Sequence, residues 1–191
     1  MRDFERPSDR LRDLSFHARL VYSVFLVFTL AALGITAWLA DEMVGADLSS
    51  VHSYYAGEES TEAQPSPVGG PSLDLPEDAV IRTPPMPRRK LLEVTHFHLF
   101  SMPIYLLILS HLYMLSRASG RAKSVWILLA TIGVAAHVAA PWIAATGTSL
   151  GRAFYAASGT LLAVPFLVMC IGPLMEMWSK PPPKRDDPKA A

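Results

Sequence analysis

Four long apolar runs constrain this chain more than any other feature. They cover about residues 18–40, 91–115, 124–146 and 153–178. A bilayer core takes about 20 helical residues to cross, and each run is near that length. Backbone polar groups in hydrocarbon need partners within their own segment, so such runs are predicted as α-helices. The expected fold is all-α, an integral membrane four-helix bundle. Residues 1–17 and 179–191 form tails, and a long Pro-rich outer loop, 41–90, joins the first two spans. The first run follows arginines, as a signal peptide does. It is too long for a signal segment, however, and "AWLADEM" lacks a small residue three before a cut after Ala40. It is read as an anchor that stays.

Charge orients the bundle. Arg2, Arg6, Arg10, Arg12 and Arg19 precede span one. Arg117, Arg121 and Lys123 sit between spans two and three, and Lys180, Lys184, Arg185 and Lys189 follow span four. Four crossings place these three segments on one side, which the positive-inside rule makes cytoplasmic. Both termini are then inside. Arg88, Arg89 and Lys90 dissent from just outside span two. Trp38 and Trp142 fall at outer span ends and Trp126 and Trp178 at inner ends, as an interfacial belt requires. The formal net charge is +0, which gives no reason to expect a nucleic-acid partner. The single cysteine, Cys170, excludes an intrachain disulfide.

Span two carries groups that hydrocarbon disfavours. It opens "LLEVTHFHLFSMP", with Glu93, His96, His98 and Met102, and later contains His111. Ionisable groups within a span are candidate functional residues by default. At about 1.5 Å per residue, His96 and His98 lie roughly 7–11 Å below the outer boundary. His137 on antiparallel span three lies roughly 10–15 Å below it. Imidazoles at matching depth on two helices form one candidate site. Helical rotation puts Glu93 and His111 on one face, with His96 about 60° away. His98, Met102 and Tyr105 share a nearly opposite face, so His96 and His98 serve different surroundings. Pro103 can kink the helix by freeing the Leu99 carbonyl. His17 and His111 mark a second polar level at the inner end.

Three functions compete. The first is a b-type haem between spans two and three, ligated by His137 with His96 or His98, in that order of preference. Glu93 would orient His96, because a metal-bound imidazole usually donates its other N–H to such a group. His96 and His111 are spaced for two stacked haems, but His111 has only His17 as a partner, so one haem is expected. Electron transfer would follow, with a quinone or a redox protein as partner on the outer side and Glu93 as proton acceptor. The second is a copper or zinc site from His96, His98, His137 and Met102. Met114, Met169, Met175 and Met177 follow no ligand spacing and read as apolar filler. A permease is disfavoured, since span one has little polar beyond Ser23 and Thr29. The third is a cofactor-free membrane subunit or sensor. There Glu93 pairs with Arg152 or the "PRRK" cluster, and His52, Tyr54, Tyr55 and Glu58 help cap the bundle mouth. In "GVAAHVAAP", Gly133 and Ala140 flank His137, and they suit either a macrocycle beside its ligand or close helix packing.

"HSYYAGEE" followed by "LLEVTHFHLFSMPIYLLILSHLYML" resembles a family of small four-span bacterial inner-membrane proteins of unknown function. Their shared pattern is an aromatic-Gly loop motif with a "THxHxxxMP…H" span. The resemblance covers roughly residues 15–178. It implies a multi-pass location in a bacterial inner membrane and marks Tyr54, Tyr55, Gly57, Glu93, His96, His98 and His111. The layout is distantly similar to four-helix b-type membrane cytochromes.

Overall fold

The computed structural model describes residues 11–45, 48, 50–60 and 81–179. Arg2, Arg6, Arg10, the stretch 61–80, Lys180, Lys184, Arg185 and Lys189 lie outside the described residues. A 3-10 turn, Leu11–Asp13, precedes helix α1, Phe16–Val44. A short helix α2, Val51–Ala56, follows, then strand β1, Glu58–Ser60, and strand β2, Ile81–Thr83. Helices α3 (Arg88–Met114), α4 (Gly120–Ala144) and α5 (Ser149–Trp178) complete the chain. The protein is thus an all-α bundle of four long helices, with one antiparallel ribbon in which Glu58 pairs with Thr83.

Each long helix is long and apolar enough to cross a bilayer. Each starts a few residues before its apolar run, and for α1, α4 and α5 a capping side chain sits there. Ser15 Oγ accepts the Ala18 N–H, Ser119 Oγ the Ala122 N–H and Thr148 Oγ1 the Gly151 N–H, each at 3.3 Å. These contacts satisfy amide donors that a helix start otherwise leaves open. Pro103, Pro141, Pro165 and Pro173 lie inside helices that continue through them. Neighbouring helices and side chains can re-satisfy the freed carbonyls in a membrane.

Helices α4 and α5 form the tightest pair, and glycine makes it possible. A Cβ on Gly133 would collide with the Leu161 carbonyl, and one on Gly151 would lie 2.7 Å from the Ile143 oxygen. In lipid there is little hydrophobic drive between helices, so close backbone approach supplies the attraction. Gly133 and Ala140 are both buried, and Gly133 serves this packing. Around the pair, Leu26, Leu109, Leu112, Val134, Leu162, Phe166 and Met169 form the main core. Most remaining apolar side chains face outward, including Val21, Phe28, Ile35, Phe97, Leu107 and Leu128. That pattern suits lipid as the surrounding solvent.

One end of the bundle is tied by polar bonds. Arg19 donates to the carbonyls of Arg12 (2.7 Å), Leu14 (2.9 Å) and Met177 (3.3 Å), joining α1 to the end of α5. Glu176 accepts the Arg117 N–H at 2.7 Å, joining α5 to the α3–α4 turn. The opposite end carries α2 as a cap. Val51 and Tyr55 are buried there with Val44, Leu91 and Ala144. The loop segment expected to fold over the mouth does so, as a helix. Gly57 explains the aromatic-Gly pairing. Its φ is +78°, and an added Cβ would lie 2.6 Å from the Thr83 oxygen and 2.7 Å from the Pro85 nitrogen. Only glycine fits that passage.

Candidate functional site

The site is built from two helices meeting below the cap. His98 on α3 and His137 on α4 bring their ring centroids to 5.6 Å with planes at 69°. His98 Nδ1 lies 2.7 Å from the Val94 carbonyl, which can only accept, so Nδ1 carries the proton. The lone pair of His98 is therefore on Nε2. His137 Nδ1 is buried and has no hydrogen-bond partner among the described residues. Pro141 stands four residues after His137 and has no N–H, so the helix offers the His137 carbonyl no ordinary donor. An imidazole pair with unspent capacity in a membrane bundle is an unusual expense unless something binds there.

A chamber of about 260 Å³ opens beside the pair. Its polar lining is His98, His137, Thr36, Thr95, Tyr54, Tyr55 and Tyr155, with Lys90 at the rim. Two thioethers, Met43 and Met86, also line it. Thr95 is held in place from α4, since its Oγ1 accepts the Trp142 Nε1–H at 2.7 Å. Trp142 therefore works as an interhelical bond as well as a belt residue.

The cap supplies two phenols, and α5 a third. Tyr54 and Tyr55 meet edge-on at 4.9 Å between centroids, and Tyr55 lies 5.5 Å from Tyr155 of α5. Burial, then the neighbouring Tyr155 phenol and the hydrogen bond to it, push the Tyr55 hydroxyl far above its ordinary value. Burial and Tyr155 raise Tyr54 as well. Both phenols stay neutral and act as hydrogen-bonding groups.

The other residues singled out in the sequence lie elsewhere. His96 is exposed, with its ring 4.9 Å from Phe100, so the inward position on α3 belongs to His98. Glu93 bonds Arg89 at 3.0 Å and approaches Lys90 at 4.0 Å on the surface. Its partner is thus the "PRRK" cluster, with neither His96 nor Arg152 bonded to it. Met102 packs against the main core below the chamber. His111 is exposed near the far end of α3, and His17 is exposed at the start of α1. Among the described residues, no three or more His, Cys, Asp or Glu side chains converge as a metal cluster.

Sequence reasoning missed Tyr155, Met43 and Met86. Tyr155 carries a legible signal, a polar aromatic just inside an apolar run at chamber depth. Met43 and Met86 carry none, because Met43 lies at the end of a long apolar helix and Met86 in the loop before α3, and only the fold brings them together.

A family model described as a transmembrane helical domain matches residues 45–184. No curated protein matches, and no solved structure matches.

Proposed function

Because this chain belongs to that transmembrane helical domain family, we propose that it is a multi-pass membrane protein supporting electron transfer through one b-type haem between α3 and α4. The observation that carries the proposal is the His98–His137 pair at 5.6 Å. With metal–nitrogen distances of about 2 Å, two imidazoles sharing one metal hold their centroids roughly 5–6.5 Å apart. His98 would bind through Nε2, with Nδ1–H on the Val94 carbonyl as the usual outer support. Lys90 at the rim suits an acidic group at the mouth. Bundle cores hold cofactors through side chains on facing helices in this way. Haem would supply reversible one-electron exchange. The positive-inside rule puts the α2 end outside, in a bacterial inner membrane, where a redox protein would dock.

A second reading is favoured by Met43 and Met86. Two imidazoles and two thioethers in a chamber of about 260 Å³ suit a copper ion.

The test is a reduced-minus-oxidised visible spectrum of the detergent-purified protein, with metal analysis on the same sample. The haem reading expects a b-type α band, lost in His98→Ala and in His137→Ala and kept in His96→Ala. Stoichiometric copper without the band moves the assignment to the ion. A colourless, metal-free protein from haem- and copper-replete cells overturns both and leaves a cofactor-free subunit.

A further inference from the structure

A second chamber lies on the other side of His137. It runs between α1 and α5 and measures about 470 Å³, within the range of roughly 300–1,000 Å³ typical of ligand pockets. It shares Thr36, Ala40, His137 and Tyr155 with the first chamber. Its walls are small and apolar. Ala37 and Ala40 of α1 face Ala156, Gly159 and Ala163 of α5. Gly159 leaves open space where a side chain would stand, with nothing within 4 Å of an added Cβ. Two spans that could pack closely here, as α4 and α5 do through Gly133, instead hold a groove open.

The lining chemistry selects the occupant. The polar groups within it are the Tyr155, Thr36 and Thr160 hydroxyls and the His137 ring, while Asp41 stands at the α2 end. Among the described residues no Lys or Arg lines it. An anionic lipid headgroup would find an acidic neighbour and no cation, so it is a poor match. A neutral ring bearing carbonyl acceptors matches the phenol and imidazole donors. An apolar tail matches the Leu33, Leu162 and Ala163 end. The buried His137 Nδ1 has no partner among the described residues and, in the tautomer protonated there, would supply the donor that such a carbonyl needs.

We infer that this groove binds a lipid-soluble quinone, its ring between Tyr155 and His137 and its tail along α1 and α5 toward the membrane interior. The site deepens the redox reading and rests on it for the fate of electrons, but binding itself does not depend on the haem. His98 does not line the groove, whereas His137 belongs to both sites.

The experiment uses the full chain in detergent. Quinone extracted with the purified protein is quantified, and decyl-benzoquinone binding is measured by equilibrium dialysis. Gly159→Leu puts bulk into the groove at a position where an added Cβ meets nothing within 4 Å, and it replaces a helix-weak residue, so folding is kept. It is expected to weaken binding by about tenfold or more. Tyr155→Phe removes one donor and is expected to cost about fivefold. His98→Ala is expected to leave binding unchanged, whatever it does to the spectrum. Binding untouched by Gly159→Leu would overturn the inference. So would stoichiometric phospholipid in place of quinone. A colourless protein that still binds quinone would sink the haem reading alone, and a coloured one that binds none would sink this inference alone.

Discussion

At the scale of single residues, glycine decides more than the ionisable groups do. Gly133 allows α4 to touch the backbone of α5 at Leu161, and the histidine it flanks depends on that placement. Gly133→Val should destabilise the bundle by about 1–3 kcal/mol through overpacking, read as a lower midpoint in a denaturant titration of the detergent-solubilised protein. Gly34→Ala is the control, since nothing lies within 4 Å of its added Cβ. It should hold the midpoint or raise it slightly, as expected when glycine leaves a helix. Sequence showed that "GVAAHVAAP" is small-residue rich, but the pattern suited packing and a macrocycle equally. The choice needed the position of Leu161, which lies on another helix.

At the scale of elements, α2 is the piece with a function of its own. It is only six residues long and would not hold as a helix alone. It persists because Val51 and Tyr55 are buried on the bundle and Tyr55 bonds Tyr155. The fold raises the Tyr55 pKa above its unfolded value of 10.0. The unfolded phenol therefore ionises first as pH rises. The docking stability is fully present below about pH 10 and is lost progressively above it as pH climbs toward the folded value. Hydrogen exchange at residues 51–56 should accelerate above pH 10 beyond the intrinsic rate. In Tyr55→Phe that extra pH dependence should vanish. A flat excess across the range in the parent protein would refute this. The loop was legible in sequence as an aromatic segment near the mouth, yet its helix was not, because six residues carry too little periodicity.

For the whole molecule, the membrane sets the architecture, and the positive-inside rule predicts its direction. The α2 end and the α3–α4 turn lie at opposite ends of the bundle. Glu58→Cys and Gly120→Cys place one exposed thiol at each end, while Cys170 is buried and stays silent. A membrane-impermeant maleimide added to intact spheroplasts should label Glu58→Cys and spare Gly120→Cys until the membrane is opened. The reverse pattern would invert the molecule and move the chamber to the cytoplasmic half. Helix α1 is little enclosed, with Leu26, Thr29 and Val44 its buried residues. It packs on α5 and lines the groove with it, so a ligand entering there from lipid would pass beside α1.

The sequence by itself determined the four spans, the all-α class and the depth at which imidazoles could meet. These follow from composition and helical rise, which are local and one-dimensional. Rotation about α3 divided His96 from His98 but could not say which faced inward, because a helix has no inside until its neighbours are placed. Only the tertiary structure decided that His98 meets His137, that Glu93 belongs to the surface cations, and that Tyr155, Met43 and Met86 join the same chamber. The reason is physical. In lipid every helix face is an acceptable exterior for apolar side chains, so hydrophobic pattern loses its power to mark the core. Glycine contacts and interhelical hydrogen bonds take over that role, and both are properties of pairs of helices.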